Sequence, residues 1–78
     1  MSDLAAIAFL TPTDKDVFTE EKIGDDLYKV TFKESSVVVL AKRNKDAVDL
    51  ELREPIFKND YDSKKLMGYV IFKIVTRL

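Results

Sequence analysis

Two stretches of the chain alternate apolar and polar residues with the two-residue period of a half-buried strand. Over 27–33, Tyr28, Val30 and Phe32 alternate with Lys29, Thr31 and Lys33. Over 47–53, Val48, Leu50 and Leu52 alternate with Asp49, Glu51 and Arg53. Between them, 36–42 is apolar on both faces of a pleated strand, as a central strand is. The breaks at Glu34-Ser35 and at Arg43 to Asp46 are short and polar, so the three strands form an antiparallel meander. After Gly68 comes the most apolar run, Tyr69 to Leu78, broken only by Thr76 and the cations Lys73 and Arg77 and rich in β-branched residues. It predicts a central strand over 69–77, with Val70, Phe72, Ile74 and Thr76 on one face and Tyr69, Ile71, Lys73, Val75 and Arg77 on the other.

The other segments are less periodic. Leu4 to Leu10 is short and apolar nearly all round, which suits a buried helix or a strand, and Thr11-Pro12 ends it. Thr13 followed by Asp16 has the spacing of a capping box, and Gly24 is a plausible stop, so 14–23 is expected to be helical. A hairpin arm turning at Gly24-Asp25 is the competing reading. Pro55 closes the 47–53 strand, and Asp60 or Asp62 before Lys64-Lys65 and Gly68 marks one or two helical turns. The expected fold is α+β: one compact domain over 1–78, an antiparallel sheet of about four strands (27–33, 36–42, 47–53, 69–77), and N-terminal helical material packed on one face. An all-β small barrel with 4–10 as a fifth strand is the alternative.

Composition narrows the chemistry. In 78 residues there is no Cys and no His. Disulfides, thiolate zinc sites, Ser-His-Asp and Cys-His arrangements are therefore impossible. Asp60-Tyr61-Asp62 resembles the opening of a calcium loop, but Lys64 stands where an oxygen ligand belongs and Lys65 where that loop needs Gly. Gly24 and Gly68 are isolated and belong to no phosphate-binding motif. The pairs Glu20-Glu21 and Asp25-Asp26 are adjacent in sequence, where side chains diverge, so neither forms an acid/base couple. No catalytic group, cofactor or metal is expected. No apolar run reaches the roughly 20 residues of a membrane helix, and the opening residues lack the basic start of a signal peptide, which suggests a cytoplasmic location.

Charge and surplus apolar surface point toward function. The net charge is −1, but residues 1–26 hold seven acids against two lysines, and the remainder eleven bases against seven acids. Such asymmetry marks one face for a charged partner. Apolar strand positions also outnumber what one small sheet buries, so a partner is expected to cover the rest. The expected function is a small non-catalytic protein-protein interaction module, such as an inhibitor or adaptor, with a homodimer as the commonest outcome. Its expected contact residues are Val37, Val39, Tyr69, Ile71 and Val75 with the acids Asp16, Glu20, Glu21, Asp25 and Asp26. The alternative is RNA or single-stranded DNA binding by a basic sheet face of Lys29, Lys33, Lys73 and Arg77 with Tyr69 as a stacking platform. The slight acidity of the chain weighs against it.

Overall fold

The computed structural model describes residues 9–78. Four antiparallel strands lie in sequence order: β1 (Phe18–Gly24), β2 (Leu27–Phe32), β3 (Ser35–Asn44) and β4 (Ala47–Ile56). Among the described residues one helix, α1 (Asp60–Tyr69), follows β4. It continues through a widened turn over Val70–Ile74, where the Val75 N–H donates to Val70 O, and ends in a tight turn over Val75–Arg77. The α+β class and the four-stranded antiparallel sheet agree with the alternation in the sequence. The identities of the fourth strand and of the helix do not.

The meander forms as the pattern requires. Tyr28, Val30 and Phe32 of β2 face the same side as Val37, Val39 and Ala41 of β3, and Val30, Phe32, Val37, Val39 and Ala41 are fully buried there. The hairpin turns contain no glycine at their left-handed positions: Asp26, Lys33 and Lys45 have φ of 60°, 57° and 58°. Primed two-residue turns need φ > 0 at their first central residue, and Lys33-Glu34 and Lys45-Asp46 supply it with a lysine. β4 runs past 53 to Ile56, with a bulge where Glu54 takes φ 48°. Pro55 is accommodated because β4 is an edge strand, where a missing N–H costs no ladder bond.

The expected strand over 69–77 is helical, and the expected helix over 14–23 is mainly the strand β1. Asn59 caps α1, its Oδ1 accepting the Asp62 N–H at 2.8 Å, so neither Asp60 nor Asp62 is the cap. From this start the spacing Leu66, Val70, Ile74 makes a stripe at every fourth residue, and all three are buried against the sheet. That burial outweighs the weak β preference of Val70-Ile71 and Ile74-Val75. At the other end the capping-box pair does form: Asp16 Oδ2 accepts both the Thr13 N–H (2.8 Å) and the Thr13 hydroxyl (3.2 Å). It closes a single turn, after which Phe18, paired with Phe32, begins β1. The helix or strand expected over 4–10 lies mostly outside the described residues, and Phe9 and Leu10 belong to no regular element. The helix that covers the sheet follows it in the chain and does not precede it.

Gly68, expected to open a strand, lies inside α1 and is buried. The segment 9–12 crosses the helix there on the side away from the sheet. The Leu10 N–H donates to Lys64 O (3.2 Å), and a Cβ on Gly68 would stand 1.8 Å from Leu10 O. Alanine ordinarily stabilises a helix interior by about 1 kcal/mol over glycine. Gly68→Ala is expected to do the reverse, lowering stability by about 1–3 kcal/mol through overpacking. Urea denaturation measures it, and an unchanged or raised midpoint would contradict the crossing.

Candidate functional site

A helix with its side chains is about 10–12 Å wide and neighbouring strands are about 4.8 Å apart, so one helix covers roughly two strands. α1 lies over β2 and β3. The two edge strands depend on something else, and they are treated differently.

β1 is tied to the helix by polar contacts. Lys65, one residue before Leu66 on the helix, reaches Asp16 Oδ2 at 2.8 Å and Thr11 O at 3.0 Å, and only 8% and 13% of the two side chains' surfaces are exposed. The hydrogen bond from Lys65, then that from the Thr13 N–H, hold the Asp16 carboxyl below its usual value of 3.8. A turn further on, Tyr69 packs on Phe18 with its ring tilted and the centroids 4.6 Å apart, and donates its hydroxyl to Glu20 Oε1 at 2.6 Å. Arg77 pairs with Glu20 Oε2. Burial pushes the Glu20 carboxyl up, but the Tyr69 hydroxyl and the Arg77 guanidinium outweigh it, leaving the group below its ordinary range. Burial, then the Glu20 carboxylate, push the Tyr69 hydroxyl up to about 12. Among the described residues every buried side-chain nitrogen and oxygen has a partner.

Among the described residues β4 has no such attachment. Val48, Leu50 and Leu52 pair with Arg43, Ala41 and Val39, so their side chains share the core face of the sheet. They extend past the helix: Leu50 and Leu52 remain 37% and 38% exposed. On the helix, Tyr69 and Arg77 turn toward β1, so residues one position after the buried stripe, Ile71 and Val75, turn toward the β4 side. Both are half-buried. An apolar strip therefore runs between the helix flank and β4.

The backbone of β4 is open as well. Asn44 and Ala47 flank a two-residue turn, a position where the paired residues exchange their hydrogen bonds inside the hairpin. Counting by twos, Asp49, Glu51 and Arg53 bond to β3, while Val48, Leu50 and Leu52 point their N–H and C=O groups outward. The ladder agrees: Ala41, opposite Leu50, donates its N–H away from β4 to Asp26 O at 2.8 Å. Val48, Leu50 and Leu52 thus present apolar side chains together with backbone groups that have no partner among the described residues. The period-2 pattern marked these residues as inward, and only the width of the helix leaves them uncovered.

Of the expected contact residues, Val37 and Val39 have no exposed surface and are spent in the core. Asp16, Glu20 and Tyr69 are engaged within the chain. Glu21 lies opposite Lys29 on the outer sheet face, and Asp25 and Asp26 form the β1–β2 turn. Ile71 and Val75 alone border an open apolar strip. The basic set is divided between the two sides of the sheet. Lys29 is on the outer face beside Val38, Lys33 lies 5.2 Å from the Phe32 ring, Arg77 and Tyr69 are on the helix side and bonded to Glu20, and Lys73 is exposed on the helix. No single basic platform results.

The outer sheet face carries half-buried Leu27, Val38 and Leu40 among Glu21, Lys29, Lys42, Asp49, Glu51 and Arg53, the mixture of a solvated face. The described residues enclose no cavity and contain no cluster of three acids able to hold a metal ion. No helix among them is long and apolar enough to cross a membrane.

The Asp16–Lys65 pair makes stability depend on pH with a definite sign. A carboxyl whose folded pKa is depressed contributes in full above its unfolded value and loses that contribution as pH falls through the folded one. Urea midpoints of wild type and Asp16→Asn should differ most at neutral pH and converge below about pH 4. A gap that persists undiminished in acid would remove Asp16 as the titrating group. Comparison with protein-family models, curated protein sequences and solved structures returns no match to this chain, so its function has to be argued from these surfaces.

Proposed function

We propose that the protein is a small non-catalytic interaction module that docks a protein partner along β4, acting as an inhibitor or adaptor by occupying the partner's surface. The observation that carries this reading is that, on an edge strand ten residues long, Val48, Leu50 and Leu52 point backbone groups outward that have no partner among the described residues, while the side chains of Leu50 and Leu52 are exposed and that of Val48 is half-buried. Edge strands of globular proteins are ordinarily shortened, charged or covered, because an open one is a template for another strand. Here the bulge at Glu54 and Pro55 closes only the last part of β4, and 47–53 stays available. An added strand gains affinity from main-chain hydrogen bonds and specificity from pockets for its alternate side chains. The strip bordered by Ile71 and Val75 would receive them.

Because Leu50 and Leu52 are more than a third exposed, replacing both by lysine should leave folding stability within about 1 kcal/mol of wild type. The same double variant should lose a partner that wild type recovers by affinity capture. A partner recovered equally well by both proteins would overturn the assignment to β4, as would the absence of any partner.

A further inference from the structure

We infer that the strand received by β4 is an extended segment of another protein that alternates apolar and basic residues, and is not a second copy of this chain. This rests on the proposed docking at β4 and goes on to name the partner's chemistry.

The outward-facing backbone groups restrict how two copies could pair. Val48, Leu50 and Leu52 must meet their counterparts as hydrogen-bonded pairs, and the antiparallel arrangement that engages all three places Leu50 on the two-fold axis. In that register Asp49 faces Glu51 of the partner subunit, and the same happens again across the axis. These are non-hydrogen-bonded pairs, in which Cα atoms are only about 4.5 Å apart, so carboxylates would stand directly opposite carboxylates. Shifting by one pair sets Asp49 opposite Asp49 of the partner subunit in one direction; in the other it sets Glu51 opposite Glu51 of the partner subunit, with Asp49 opposite Arg53 of the partner subunit, and either shift gives up backbone bonds. Compensation from within the chain is incomplete. Glu51 has its own Arg53 at 2.6 Å, and Asp49 lies opposite Lys42 of β3 and accepts a bond from Asn44 at 3.3 Å. All of these groups are on the outer face, and β4 as a whole carries Asp49, Glu51 and Glu54 against Arg53 alone.

The same carboxylates select for a different occupant. An incoming strand whose outer-face residues are lysine or arginine would place cations across from Asp49 and Glu51. Its alternate residues would lie on the helix side, over the strip beside Leu50, Leu52, Ile71 and Val75. Apolar side chains fit there. Backbone pairing, apolar cover and charge therefore agree on one partner sequence pattern.

Two synthetic peptides alternating valine with lysine or valine with glutamate test this, with binding followed by fluorescence anisotropy and sites located by amide hydrogen exchange. The lysine peptide should bind about tenfold more tightly at low ionic strength, with protection at the Val48, Leu50 and Leu52 amides, and the preference should narrow with added salt. Equal binding of both peptides at those amides would overturn the charge selection while leaving docking at β4 intact. Failure of both to protect the edge would overturn the docking itself. Sedimentation provides the second arm: wild type should be monomeric, and Asp49→Lys, which sets a cation against Glu51 of the partner subunit, should shift the chain toward a dimer. A wild-type dimer joined at β4 contradicts the inference, and so does an Asp49→Lys protein that stays monomeric.

Discussion

One helical stripe, Leu66, Val70 and Ile74, closes the core against Val30, Phe32, Val37, Val39 and Ala41. Each of these side chains buried from water contributes on the order of 1–3 kcal/mol, so in a domain of this size the stripe accounts for a large share of what opposes chain entropy. It also sets a geometric limit. A single helix is two strands wide, and the sheet has four. Everything distinctive about the two edges follows from where the helix stops.

On the β1 side the gap is bridged by ionic and hydrogen-bonding groups with a small aromatic stack. Lys65 with Asp16, and Tyr69 and Arg77 with Glu20, join residues 49 to 57 positions apart in the chain. A pair as buried as Lys65 and Asp16 adds little net stability compared with apolar packing, but losing one partner leaves a charge stranded, so such pairs hold a segment in one place. The segment 9–16 is located in this way, clasped by Lys65 and laid over Gly68. On the β4 side nothing comparable is present among the described residues, and the side chains of Leu50 and Leu52 stay exposed beside half-buried Val48. The acids at 49 and 51 are the kind of charge that keeps an open edge from pairing with itself while leaving it able to receive a complementary strand.

The meander was legible because its signal is local. Tyr28, Val30 and Phe32, and later Val48, Leu50 and Leu52, alternate so regularly that register and facing can be read directly. The exchange between β1 and the C-terminal helix was not legible. Val70-Ile71-Phe72-Lys73-Ile74-Val75 satisfies a strand pattern on its own and a helical one only when Leu66 is counted with it. In β1 the inward positions are Phe18, Glu20 and Lys22, and an acid pointing toward the core conceals a strand until Tyr69 and Arg77 are there to meet it. The burial of Val37 and Val39 was hidden for the same reason. Val37 and Val39 look like surplus apolar surface until a helix is placed on them.

By itself the sequence determined the α+β class, the three consecutive hairpin strands β2, β3 and β4 and the absence of thiol and imidazole chemistry, since these depend on residue type and on neighbours two positions away. Only the tertiary structure decided which apolar run became the helix, which strand lacks cover and which charges are already paired. Those outcomes turn on contacts between residues dozens of positions apart and on the width of one helix relative to a sheet, and no local pattern along a chain encodes either.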